Sequence, residues 1–248
     1  MDTFTLSQID ELRAIEKTRL DRGEPGIRVE LQELINRLKS GGVAGKSADV
    51  RIARAKRMFD LGVGRELFTK GKLPNESFEA YLATIPEIPV EYLVGDPDFE
   101  HLVLEEPRIG LKRLCDLGII VFDGNDQTFE AWDSRHEDAM EPRWIRLQDG
   151  RKNRKRKPDD CRQSFNTDEL GTTALQGVCA YLQIPTVVAD LNIGADGHVM
   201  DLPGSVHRGG RRLCAFLFVG GGRAGLYWYW DGVVGPQFGS SSRRECRA

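Results

Sequence analysis

The 248-residue chain predicts an α+β protein: a helical N-terminal region, then a domain with a small antiparallel sheet and a C-terminal aromatic hairpin. Three observations predict it. Apolar residues recur at helical spacing through the first 84 residues. Pro86, Pro89 and Pro97 then interrupt the pattern, which marks residues 85–98 as the connection to a mixed region over 99–248. Finally, Leu213–Val219 and Leu226–Trp230 are two apolar runs separated by Gly220, Gly221, Gly222 and Gly225, the permissive backbone that a hairpin turn needs.

Taken in order, Ser7 caps a first helix with Asp10 three residues on and Ile9, Leu12 and Ile15 at helical spacing. Ile27, Leu31, Leu34, Ile35 and Leu38 trace one face of a second, which Ser40-Gly41-Gly42 ends. Ser47 caps a third carrying Val50, Ala53, Met58 and Phe59, and a fourth over Asn75–Thr84 presents Phe78, Tyr81 and Leu82. Beyond the prolines, Leu111, Leu114 and Leu117 give a short helix that Gly118 ends. Ile119–Phe122 is a strand stopped by Asp123-Gly124, and Trp144–Leu147 is another. Thr173 and Gln176 form a capping box for a helix through Leu175, Val178, Cys179 and Leu182, which Pro185 cannot extend.

Composition excludes several classes. With 40% hydrophobic and 29% charged residues and no low-complexity tract, wholesale disorder is not expected. Five cysteines, an odd number lying far apart with no CxxC pair, point to a reduced compartment. The start MDTFTLSQIDELR has neither the basic residues nor the apolar run of a secretory signal, so a cytoplasmic location is expected. No segment approaches the ~18 apolar residues of a membrane span. The net charge of −3 conceals blocks: residues 73–141 hold 17 acidic against 4 basic residues, and 142–157 hold 8 basic against 1 acidic. Such blocks either steer partners or neutralise each other within the fold.

The strings QDGRKNR (148–154), DDCR (159–162), MDLPGSVHR (200–208), GGRAGLYWYWDG and the closing GSSSRRE, over roughly residues 144–245, resemble a family of hypothetical bacterial proteins classed as a domain of unknown function. The resemblance implies a domain there and brings no activity, cofactor or site residue with it.

Among motifs that carry chemistry, SGGVAGKS (40–47) resembles a phosphate-binding loop, but Ser40 stands where that loop needs Gly and the segment follows a helix instead of a strand. A glycine-rich connection accounts for it, and no cofactor is expected. Arg151, Lys152, Arg154, Lys155, Arg156 and Lys157, flanked by Arg143, Trp144 and Arg146, have the composition that phosphate backbones select. A solvated loop held by the neighbouring acids is the alternative. In the hairpin, Tyr227 and Tyr229 share one strand face and Leu226, Trp228 and Trp230 the other. The tyrosines, beside Arg208, Arg211, Arg212 and Arg223, are either a stacking platform for bases or core. Catalytic parts are few: Cys161, whose pKa nearby Arg and Lys would lower, and His207, with Asp201 and Asp231 as orienting carboxylates. A metal at His198, Asp201 and His207 lacks a ligand spacing that would support it. The leading expectation is a non-enzymatic module whose basic loop and arginine-rich hairpin bind nucleic acid or another polyanion. The alternatives are a Cys161/His207 enzyme and a protein-interaction module using the acidic stretch.

Overall fold

The computed structural model describes residues 49–93, 96–118, 120–122, 132–134, 140–207 and 213–244. The two expected N-terminal helices, SGGVAGKS, Cys246 and the arginines Arg208, Arg211 and Arg212 lie outside them, and for Trp132–Ser134, Phe122, Val206 and His207 the description is of backbone alone. Residues 1–50 and 51–248 are separate compact units, and the described elements belong to the second, together with the helix that enters it.

That helix, α1 over residues 49–60, buries Ala55 and Met58, while Ala53, expected on the apolar face, is exposed. After α2 (Val63–Thr69), helix α3 spans Phe78–Leu82 and not the longer Asn75–Thr84, because the Ser77 side chain caps it by accepting from the Ala80 amide. A one-turn helix α4 (Val90–Leu93) leads to strand β1 (His101–Glu105). Helix α5 covers Leu111–Leu117 with Gly118 at its C-cap, as its leucine spacing predicts. Strands β2 (Val121–Phe122), β3 (Trp132–Ser134) and β4 (Arg143–Gln148) follow. Next come helix α6 (Pro158–Ser164), strand β5 (Glu169–Gly171) and helix α7 (Ala174–Gln183), where both halves of the Thr173/Gln176 capping box form. The chain closes with β6 (Val199–Leu202), β7 (Ser205–His207), β8 (Leu213–Gly220), β9 (Arg223–Trp230), β10 (Phe238–Ser240) and β11 (Ser242–Arg244).

The α+β class holds, but the sheet is not one small antiparallel unit. Four antiparallel strands run β1-β4-β11-β5, and five run β10-β6-β8-β9-β2, with β10 parallel to β6 and β2 parallel to β9; β3 and β7 make a separate ribbon. The hairpin β8-β9 turns through Gly221 and Gly222, both at positive φ. Gly225, expected in that turn, lies inside β9, where a Cβ would come within 2.5 Å of the Phe218 ring. Helix α7 packs against both larger sheets, touching β1 and β8. Gly177 lets it approach β6 closely, since a Cβ there would lie 2.4 Å from Leu202. The core includes Val103, Leu147, Val178, Leu202, Leu217 and Leu226, each fully buried aliphatic side chain contributing about 2 kcal/mol.

Polar side chains finish the edges of this core. The Gln183 amide accepts from the Leu104 amide (2.9 Å) and donates to its carbonyl (2.6 Å), covering the free edge of β1 as a strand would. Arg54 and Arg57 donate to the Gln183 and Leu182 carbonyls (2.8 and 3.0 Å), satisfying the C-terminal end of α7. The Tyr81 hydroxyl donates to buried Glu106, which Arg108 also grips (2.7 and 2.6 Å). The expected connection at 85–98 therefore lies within one unit, with α1 and α3 joined by side chains to α7 and to the segment after β1. No helix among the described residues is long and apolar enough to cross a membrane.

Candidate functional site

The basic segment folds as a turn fastened to the end of β10. At its start Gly150 has φ 95, and the backbone passes so close to Gly239 that a Cβ on Gly150 would lie 2.1 Å from the Gly239 carbonyl oxygen. Residues Arg151–Asn153 make one 3-10 turn. Gln148 holds the approach: it accepts from the Gly150 amide (2.7 Å) and donates to the Ser240 carbonyl (3.0 Å) and the Ser242 hydroxyl (2.9 Å). Asn153 also donates to the Ser240 carbonyl (2.8 Å), and the Lys155 amide donates to the Phe238 carbonyl (3.3 Å). Lys155 itself sits at φ 61, in the left-handed region that a lysine rarely adopts.

Two of the predicted binding arginines are consumed in building this turn. Arg151 pairs with the buried Asp149 carboxylate and donates to the Thr186 carbonyl (2.9 Å). Arg154 donates to the Gly197 carbonyl (2.8 Å) and, through Nε, to His198 Nδ1 (3.4 Å). His198 Nε2 faces the Asp149 carbonyl oxygen at 2.8 Å and so carries the proton, which leaves Nδ1 to accept from Arg154. Burial, reinforced by Arg151 and Arg154, pushes the imidazole down to about 3. Both of its nitrogens are used inside the fold, which leaves His198 no free nitrogen for a metal.

The remaining cations differ. Lys152 reaches back to Asp98 (2.5 Å) and the Pro97 carbonyl. Arg156 donates to the neutral Asn153 and Ser164 side chains (3.1 and 2.8 Å). Lys155, Arg156 and Lys157 are exposed, and among the described residues no carboxylate pairs with any of them. The flanking residues turn away from this surface: Arg143 pairs with Glu105 (2.7 Å), Arg146 is buried against the Phe99 carbonyl, and Trp144 is buried with its indole on the Pro86 carbonyl (2.9 Å). Four acids of the acidic stretch are spent in the same way, Asp96 on Arg244, Asp98 on Lys152, Glu105 on Arg143 and Glu106 on Arg108.

The hairpin tyrosines lie in an aromatic cluster. Tyr229 packs edge-on to Phe216 (5.3 Å) and against Phe238 (5.1 Å), while its hydroxyl donates to Asp201 (3.1 Å). Asp201 is fully buried, its second carboxyl oxygen has no partner among the described residues, and burial raises it to about 8. Tyr229 is thereby tied into the core. Tyr227 packs edge-on to Phe216 and stacks on Trp228 (5.8 and 4.8 Å). Arg223 stands exposed at the start of β9. Cys161 reverses its expectation: it is fully buried, and desolvation raises its pKa despite Arg156, so it lacks the thiolate character that a nucleophile needs. The side chain of its proposed partner His207 lies outside the described residues.

Glu100, His101 and Asp149 bring candidate metal-ligand atoms within 4.8 Å of one another, which the sequence did not suggest because Asp149 is 48 residues from His101. Arg151 already occupies the Asp149 carboxylate with both its amide and its guanidinium, so a cation there would have to displace a cation. No protein-family model, curated protein or solved structure matches the chain.

Proposed function

We propose that this protein is a non-enzymatic binding module for a polyanion, nucleic acid being the leading class, and that it binds through the turn at 152–157. One observation carries the reading: a turn fixed at both ends by backbone contacts presents Lys155, Arg156 and Lys157 as exposed residues, with no ion pair between them and a carboxylate among the described residues. A fixed turn loses little conformational entropy when it meets phosphates, and each phosphate neutralised releases counterions. Lys152 joins the contact by giving up an exposed ion pair with Asp98, which is worth little in water. Arg151 and Arg154 position the turn and do not belong to the contact set. Tyr229, whose ring packs on Phe216 and Phe238, is left out of the proposed contact set as well.

The test is fluorescence anisotropy with labelled single- and double-stranded DNA and RNA across a salt series. Three or four phosphate contacts give a log affinity that falls with log salt at a slope of about −2 to −4. Reversing charge at Lys155, Arg156 and Lys157 together should abolish binding and leave the far-ultraviolet circular dichroism unchanged. Absence of binding at low salt, or full affinity in the triple variant, would refute the proposal.

A further inference from the structure

A cleft of about 500 Å³ lies at the other end of β4 from the basic turn. It is bounded by the segment 86–92, by the start of β4 and by the end of β11. Since β4 rises about 3.3 Å per residue, its mouth at Arg143 is on the order of 17 Å from Gln148, where the turn begins. The volume falls in the range of small-molecule sites, about 300–1,000 Å³.

Its lining combines two chemistries. Pro86, Pro89, Pro142, Tyr92 and Trp144 form the apolar part, and the two aromatic polar atoms are already satisfied: the Trp144 indole donates to the Pro86 carbonyl (2.9 Å) and the Tyr92 hydroxyl to the Arg244 carbonyl (3.3 Å). Both rings are nearly buried, and Pro86 and Pro89 keep the more exposed apolar surface. The lining also includes Arg143, Arg244 and the buried Arg243. Arg143 is held by Glu105 through Nε (2.7 Å) while its buried Nη2 has no partner among the described residues, and Arg244 is held by Asp96 (2.5 Å) and Asp168 (3.4 Å) and lies over the Phe99 ring (4.6 Å). Glu105, Asp96 and Asp168 orient these guanidiniums without lining the cleft themselves. The single acid in the lining, Glu87, has a side chain 79% exposed and faces Arg51 at 3.2 Å.

We infer that this cleft is a binding site for a small organic anion, a carboxylate or phosphate carried on a planar apolar body, with the anionic group on Arg143 and Arg244 and the body against Pro86 and Pro89. Pre-oriented guanidiniums present their donors to such a group in a fixed fork. The site is independent of the polyanion reading, since it shares no residue with the turn.

Titration calorimetry of the full chain with phenyl phosphate, benzoate, inorganic phosphate and benzyl alcohol tests it and separates the two anion types. Phenyl phosphate or benzoate should bind one to one with a Kd of about 1 mM or tighter. Inorganic phosphate should bind at least about tenfold more weakly, and benzyl alcohol not measurably, because each probe lacks one of the two groups that the lining would hold. Arg143→Lys retains the charge facing Glu105 but loses the fork, and should weaken binding about fivefold or more. Glu87→Lys, at an exposed position, should tighten binding severalfold. The triple reversal of the turn should leave phenyl phosphate affinity unchanged. Failure of both phenyl phosphate and benzoate to bind, equal binding of inorganic phosphate, or affinity indifferent to both cleft substitutions overturns the assignment.

Discussion

At the scale of single residues, Asp201 and Tyr229 form the most consequential pair. A fully buried carboxyl raised to about 8 is protonated at neutral pH, and the Tyr229 hydroxyl is its one side-chain donor among the described residues. Tyr229→Phe keeps the ring against Phe216 and Phe238 but removes that donor, so we expect a loss of about 1–3 kcal/mol in urea unfolding at pH 7. A variant as stable as the parent would show that the bond contributes nothing net. The strand alternation correctly puts Tyr227 and Tyr229 on one face, opposite Phe216 and Cys214 of the neighbouring strand. What alternation cannot supply is the partner of that face, because Asp201 is 28 residues away on β6. Cys161 teaches the same lesson: nearby arginines in the sequence suggest an activated thiol, and burial, which depends on the whole fold, reverses the sign.

Elements that announce themselves locally were legible: the capping box of α7, the leucine spacing of α5, and the two long strands around Gly221-Gly222. Thr173→Ala removes the cap acceptor of the Gln176 amide and should cost about 1 kcal/mol, read as a lower urea midpoint at unchanged slope. Strands β5, β10 and β11 were not legible. Three residues carry no period, and Gly239-Ser240-Ser241-Ser242 has no apolar member. These serines are buried all the same, since Ser241 donates to the Asp201 carbonyl (2.6 Å) and Ser242 to Glu169. The candidate interface was legible as a run of charge and illegible as a turn, because what fixes it is the approach of Gly150 to Gly239 across 89 residues of chain. Gly239→Ala tests that contact. Its Cβ would lie 2.1 Å from the Gly150 carbonyl oxygen, and neither backbone can yield cheaply. We expect both a lower Tm and weaker nucleic-acid binding, although every cation of the turn is retained. An unaltered anisotropy titration would mean that the turn's geometry is irrelevant to binding.

At the scale of the whole molecule, part of the segregated charge pairs within the fold, and among the described residues two titratable groups held away from water bear on stability near neutral pH. They oppose each other. His198 is neutral in the fold down to about 3, whereas an unfolded histidine takes up its proton near 6.5. Between those values the unfolded chain holds one more proton, and stability rises with pH by about 1 kcal/mol per unit. His101, depressed chiefly by burial, acts in the same direction. Asp201 is the reverse. Its folded value near 8 exceeds the unfolded value near 4, so the native state holds the extra proton across that window, and its contribution, complete below about pH 4, is lost as pH rises towards 8. The His198 and Asp201 slopes cancel from about pH 4 to 6.5, which leaves the smaller rise due to His101. Above that range Asp201 acts alone, and the unfolding free energy should decline by about 1 kcal/mol per unit until about pH 8. Asp201→Asn, which cannot ionise, should remove this alkaline decline and uncover the His198 slope below it, so the variant gains on the parent protein throughout the window from about pH 4 to 8. Urea unfolding at half-unit steps from pH 4 to 9 reads both limbs. Parallel curves for the two proteins would mean that Asp201 is already ionised in the native state, and that the Tyr229 hydroxyl donates to a carboxylate whose charge the surrounding dipoles satisfy.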